Sequence, residues 1–276
     1  MSVINTNVAA IKARSNLERV QRDMDTSIAR LSSGKRITSA RDDAAGSAIV
    51  GRMDSQIRGL TMGIRHAKDG QSLVDTQEGA LQEVTAVLQR MRELAVQAGS
   101  GVATNTDKNY LQVEMGHLVD EIDAISDSTK FNDQRVLTGA TFSFYTDIDV
   151  AGTAVTTVAA SAAAATIGIT KANVSIGAGT STNALLQAVI TKVDNAIGSI
   201  ASFRANLGAV SNRFDHLIDG LTNVVANTEA SKSRILDTDF SIETTQLTRN
   251  TVLQQAATSM VAQANAQKNA ILALIG

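Results

Sequence analysis

The chain has 276 residues, 25 basic and 27 acidic side chains, and a formal net charge of −2, which offers no basic surface to nucleic acid or anionic lipid. It is 43% hydrophobic but only 3% aromatic, with no Trp, too few large side chains for a compact enzyme core of this size. Cys and Pro are both absent, which excludes disulfides, thiolate metal sites and thiol nucleophiles and removes the strongest helix breaker.

The first stretch, MSVINTNVAA, has no charged segment followed by an apolar one, so no cleavable secretory signal is expected. No apolar run approaches the roughly 18 residues that span a bilayer, so no membrane insertion is expected. Val3, Ala10, Leu17, Met24 and Leu31 then recur at intervals of seven. A stripe with that period predicts a helix built for coiled-coil packing. Ser33-Gly34 closes it, glycine supplying the left-handed cap. Ser39 and Asp42 read as an S-x-x-D capping box for the next helix.

That second helix places Met53, Leu60, Ala67, Val74, Leu81, Leu88 and Ala95 at the same interval and runs to about Ala98. GSGVATNT (99–106) is a turn. A third helix, to about Ser128, carries Leu111, Met115, Leu118, Ile122 and Ile125 in steps of four and three. The middle differs. FSFYTDIDV puts Phe142, Phe144, Ile148 and Val150 on one face and predicts a strand; AVTTV is β-prone, and IGITKANVSIG reads as strand with loops. A fourth helix carries Leu186, Val193, Ile200, Leu207, Phe214 and Leu221. The tail steps through Leu253, Ala257, Met260, Ala264, Gln267, Ile271 and Leu274 by fours and threes, ending on AILALIG. Such a tail predicts an interface that awaits a partner surface.

The expected fold is mainly α: an elongated coiled-coil bundle formed by the N- and C-terminal halves, with a small β-containing central excursion. Residues 1–38 and 236–276 form terminal helical segments, 39–138 and 183–235 a helical bundle, and 139–182 a short surface insertion. An isolated helix cannot bury its stripe, so the terminal segments are expected to order only on joining neighbours. Chemistry is nearly absent. His66, His117 and His216 each stand alone on a helix, outside any metal-ligand spacing. GAGTST (177–182) lacks the spacing and the βαβ context of a phosphate loop. Arg41-Asp42-Asp43 is better suited to helix capping than to a carboxylate pair, because adjacent helical side chains diverge by about 100°. No enzyme activity, metal or cofactor is expected.

LSSGKRITSARDDAAGSAI (31–49), LQRMRELAVQA (88–98), FRANLGAVSNRF (203–214), RILDTDFSIET (234–244) and SMVAQANAQ (259–267) resemble, in order and spacing, the signature segments of bacterial flagellin. The resemblance spans residues 2 to about 138 and about 185 to 276. The chain departs from the pattern at Gln77 in DTQEGAL and throughout 139–184.

The resemblance implies a secreted subunit that self-assembles into a flagellar filament, its terminal helices pairing to line the inner tube. Implied partners are further copies of the chain, the flagellar secretion apparatus, an export chaperone and the filament cap. The assembly interface is expected at Val3, Ala10, Leu17, Met24, Leu31, Leu253, Ala257, Met260, Ala264, Ile271 and Leu274. The resemblance also implies contact with a vertebrate Toll-like flagellin receptor through Gln89, Arg90, Glu93 and Leu94, with Glu114 as neighbour. A hook–filament junction protein shares similar termini and is the alternative. A chemoreceptor-type signalling rod would need a membrane anchor or sensor domain.

Overall fold

The computed structural model describes residues 6–146, 154–157, 160–177 and 183–275, with side chains to residue 267. Five helices dominate: α1 (Val8–Ser33), α2 (Ala44–Ala98), α3 (Asn105–Ser128), α4 (Asn183–Leu236) and α5 (Phe240–Ile275). Two short antiparallel pairs complete the described residues, β1 (Lys130–Phe131) with β2 (Gln134–Arg135) and β3 (Ser143–Tyr145) with β4 (Ala154–Thr156). The mainly α class with a small β component is as expected. The chain divides into two compact units, residues 1–57 with 226–276 and residues 58–225. Both divisions fall inside long helices, α2 and α4, and not at the loops near 38 and 236 where composition changes.

In the first unit α1 and α5 pair antiparallel: Asn7 Nδ2 donates to Ala264 O at one end (3.0 Å), and Arg30 meets Glu243 at the other. Asn7 caps α1 by accepting from Ala10 N, and Gly34 ends it at φ 68°, donating to Arg30 O. The chain then crosses beside the α4–α5 linker, where Lys35 and Asp237 form an antiparallel bridge. The expected Ser39–Asp42 capping box is not what starts α2. Asp42 accepts from the backbone N–H and the hydroxyl of both Thr38 and Ser39, closing the loop on itself. Asp43 is the cap instead, accepting from Gly46 N at 2.8 Å. An acid one residue before the first helical position reaches the third N–H of the helix, which Ser39 is too far upstream to do.

The second unit holds the main core. Leu81, Leu88 and Met91 of α2, Met115 and Ile122 of α3, and Ile200, Leu207 and Phe214 of α4 are all fully buried. The stripes of seven in α2, α3 and α4 therefore face one another. Thr104 and Asp107 form a capping box at the start of α3, a T-x-x-D signal present in the sequence but passed over there. Asn132 and Asp133, both at positive φ, turn β1 into β2, a two-residue hairpin of the type these residues favour.

Part of the middle segment joins the core. Ala160, Ala162, Ala164, Ile167, Ile169, Val174 and Ile176 are buried in the same core. IGITKANVSIG forms turns, not a strand, closed by local backbone bonds such as Ile169 N to Ala164 O and Val174 N to Thr170 O, and helix side chains anchor it and the residues before it. Asp123 of α3 accepts from Ala164 N, Gln112 accepts from Ile176 N, and Lys171 pairs with Asp120 at 2.7 Å. Of the expected strand, Ser143–Tyr145 is present as β3, with Phe142 just before it; Ile148 and Val150 lie outside the described residues. Gln77, the departure in DTQEGAL, is fully buried on the α2 stripe and donates to Val136 O at 2.7 Å, tying the chain after the hairpin to the helix. Glycine makes room elsewhere on α2: a Cβ at Gly63 would strike the Thr146 carbonyl, and one at Gly70 would lie 2.5 Å from the Phe214 ring. That ring stands edge-on to Phe144, centroids 5.8 Å apart, so α4 and β3 share the space Gly70 leaves.

Gly70→Val should destabilise the protein by about 1–3 kcal/mol through overpacking. Gly79→Ala, on the same helix with nothing within 4 Å, should stabilise it by about 0.5–1 kcal/mol through helix propensity. Denaturant midpoints for the two variants check the pair of signs. The Thr38 hydroxyl, followed by the Ser39 and Thr38 amides, lowers the Asp42 pKa from 3.8 to about 2. A depressed carboxylate stabilises the loop while ionised, so the contribution is complete above about pH 3.8 and is lost as pH falls through about 2. The Asp42 side-chain carboxyl resonance should titrate with a midpoint near 2.

Candidate functional site

Every residue of α1 turned toward α5 lies on one stripe: Ala10, Ala13, Leu17, Val20, Met24, Ser27 and Leu31, alternating three and four apart. Val20 and Ser27 are buried and the others half-buried, while the positions between them are exposed except for half-buried Arg30, which reaches Glu243 from beside the stripe. Ala10, Leu17, Met24 and Leu31 thus sit where their interval of seven places them, as one edge of a two-edged seam. The other edge, Ala13, Val20 and Ser27, was missed because it mixes Ala and Ser with a single large residue. Looking three residues beyond each member of the first edge finds it.

The α5 residues of the expected interface divide between two faces. Its covered stripe is Glu243, Leu247, Asn250, Gln254, Ala257, Val261 and Ala264, again in fours and threes. Ala257 and Ala264 are on the seam as expected. Leu253 and Met260 are not: they are 42% and 58% exposed. Each precedes a seam residue by one position, which turns it about 100° away on a helix. Hydropathy points to Leu253 and Met260, whereas the packing selects Gln254 and Val261. Val3 lies outside the described residues, as do the side chains of Ile271 and Leu274.

Two surfaces result. The covered seam is small and polar for its length. An uncovered ridge on α5 carries Ile242, Leu253 and Met260, with Val252 beside it, all exposed. Between ridge and seam opens a groove of about 510 Å³, lined by Arg19, Asp23 and Arg30 of α1 and by Gln246, Arg249 and Leu253 of α5.

A second cluster lies in the other unit. Arg90 donates from Nε and Nη2 to Glu114 Oε1 at 2.9 and 2.8 Å, and from Nη1 to Glu93 Oε2 at 3.1 Å. The bond to Glu114, with that to Glu93 next, raises the Arg90 pKa further. Gln89 is exposed alongside. The fold therefore joins Arg90, Glu93 and Glu114 across α2 and α3. Leu94 does not belong with them: it is fully buried and faces the core, four residues from exposed Arg90 but on the neighbouring stripe.

Among the described residues no group of His, Asp and Glu side chains is placed to hold a metal ion, and no helix is long and apolar enough to cross a membrane. His66, His117 and His216 are all exposed.

Residues 4–141 match the bacterial flagellin N-terminal helical region, and residues 190–275 the bacterial flagellin C-terminal helical region. The chain belongs to the bacterial flagellin family. Flagellin 1 of Proteus mirabilis is 48% identical over 137 residues, which cover 50% of this chain and 38% of that one. The phase 1 flagellin of Salmonella naestved is 47% identical over 135 residues, 49% of this chain and 27% of that one. The chain thus spans well under half the length of these relatives. A flagellar hook-associated protein from Vibrio parahaemolyticus superimposes with a TM-score of 0.61 over 71% of this chain and 100% of its own, at 12% identity. At that identity the likeness concerns the fold alone.

Proposed function

We propose that the chain is a structural subunit that self-assembles into the bacterial flagellar filament, for swimming motility. The observation that carries this reading is the pair of surfaces on α5: α1 covers one stripe, and the ridge of Ile242, Leu253 and Met260 stays open. A helix with two stripes of similar period about 100° apart is suited to pack against more than one neighbour. Copies joined through such unlike surfaces make heterologous contacts, which propagate into an open helix. Residues 1–38 and 236–276 form the inner filament core and order on joining neighbours. Residues 39–138 and 183–235 form the outer bundle. Family membership supports secretion and delivery through the flagellar export apparatus, with a chaperone and a filament cap as partners. The alternative, a hook–filament junction protein, predicts short caps or rings in place of long filaments, and electron microscopy of the polymerised protein separates the two.

The ridge supplies the sharper test. Leu253→Ser with Met260→Ser should leave the helical content of the unassembled chain unchanged, since residues 236–276 order only on joining neighbours. Each residue buried in an assembly contributes roughly 1.5–3 kcal/mol, so the critical concentration for polymerisation should rise by at least about tenfold. An equal pellet on sedimentation from the variant and the parent would overturn the assignment of the ridge.

We further propose that the Arg90 cluster contacts the vertebrate Toll-like flagellin receptor, through Gln89, Arg90, Glu93 and Glu114. Its support is geometric: the three charged groups are interlocked and solvent-facing on two helices, which holds their donors and acceptors in a fixed pattern. Arg90→Ala should weaken receptor activation by the unassembled protein without changing its circular dichroism, since exposed ion pairs add little stability. Full activation by this variant would remove the cluster from consideration.

A further inference from the structure

The α1–α5 seam is poorly equipped to choose its own alignment. Register in a coiled coil is normally specified by large knobs of distinct shape or by a buried polar pair. Here much of the seam is Ala, Ser, Asn or Gln, and a slide of one heptad brings Ala257 to where Ala264 stands and Asn250 to where Ala257 stands, while Gln254 replaces Val261, so few large side chains oppose it. Something else must hold the alignment.

Apart from the bond from Asn7 Nδ2 to Ala264 O at the far end, the contacts capable of it gather at the linker end. Glu243, in the first turn of α5, is 5% exposed, and its Oε2 lies 3.7 Å from Arg30 Nη1. Arg30 Nε and Glu243 Oε1 are buried with no hydrogen-bond partner, so the Glu243 carboxylate is met by Arg30 through the ion pair alone. Beyond the helix ends, Arg36 N donates to Leu236 O at 2.6 Å and Thr238 N to Gly34 O at 3.1 Å, on either side of the Lys35–Asp237 bridge. The Arg36 guanidinium donates through Nε and Nη2 to Ile235 O, at 3.2 and 2.7 Å. It thereby caps a carbonyl in the last turn of α4 from the opposite linker.

We propose that the linker end sets the register of the α1–α5 pair, with Arg30, Glu243 and Arg36 as its specificity-determining residues and the seam supplying only adhesion. A slide by one heptad, about 10 Å, would part half-buried Arg30 from Glu243 and leave the buried Glu243 carboxylate without its cation, at a desolvation penalty. Buried ion pairs contribute little net stability, and a register role is their best-attested use. Under the filament reading the alignment matters for assembly, because the Leu253–Met260 ridge moves with α5. The inference itself concerns contacts within one chain and does not depend on that reading.

The chain has no Cys, so introduced thiols are unique. Cys at Asn7 and Ala264 reports the native register, and Cys at Asn7 and Ala257 reports a one-heptad slide. A short thiol crosslinker is applied under polymerising conditions, and intrachain products are recognised by their monomer mass. The parent should give the 7–264 product alone. Arg30→Met/Glu243→Leu/Arg36→Ala should either shift to include the 7–257 product or lose the 7–264 product. Leu17→Ala/Val261→Ala, which weakens the seam and spares the linker end, should lower the melting temperature yet still give 7–264 alone. Arg30→Glu should disturb the product pattern, and adding Glu243→Arg should recover it. The proposal is overturned by any of three results: 7–264 alone from the triple variant, a slide in the seam variant, or no 7–264 product from the parent. Pelleting of the parent, measured separately, reports on filament formation and leaves the crosslink result to judge the register.

Discussion

A narrow apolar stripe on a helix surrounded by solvent has to be covered by another helix, and the rest of this structure follows from how that requirement is met. In the unit of residues 58–225 it is met within the chain: the stripes of α2, α3 and α4 close on one another, and Leu81, Leu88, Met115, Ile200 and Phe214 are fully buried. In the unit of residues 1–57 and 226–276 it is met in part. α1 and α5 cover one stripe each and leave Leu253 and Met260 of α5 in water. Burial of large side chains stabilises the first arrangement on its own, whereas the second leaves apolar area available to a partner.

Seam and ridge divide two tasks that one surface performs badly. A seam of large apolar residues would hold α1 and α5 tightly, but α5 would then offer little to a neighbour. Small and polar seam residues give a weaker pair, and the larger side chains stand on the outer face. Weak adhesion along the seam raises the value of the contacts at the linker end, where Arg36 and the Lys35–Asp237 bridge join two chain segments some 200 residues apart in sequence.

Residues 160–177 settle another problem. A short chain between two long helices has few ways to satisfy its own backbone, and regular strand is one of them. Here most of the bonds are local turns, α3 adds acceptors at two points, Asp123 and Gln112, and just before this stretch Gln77 of α2 donates to Val136. The alanines and isoleucines between these anchors then lie against the helices and enlarge the core. The polar Gln77 on an otherwise apolar stripe is the counterpart of that arrangement, and the bare backbone at Gly63 and Gly70 makes room for Thr146 and Phe214.

Helix identity and the stripes of α2, α3 and α4 were legible in the sequence, because an interval of seven between large apolar residues has few other physical readings. So was the end of α1 at Gly34, where only glycine adopts the required conformation without strain. The motifs of the two ends likewise pointed to the flagellin family before any coordinate. Tertiary structure alone decided which edge of α5 is covered. Leu253 and Gln254 are neighbours, a heptad admits either line, and hydropathy prefers the line that the packing leaves outside. It also decided that Leu94 faces inward, that Asp43 and not Ser39 caps α2, and that the alanines and isoleucines of residues 160–177 join the core. Each of these depends on which group comes within hydrogen-bonding or van der Waals distance from a remote part of the chain, and local periodicity carries no record of that.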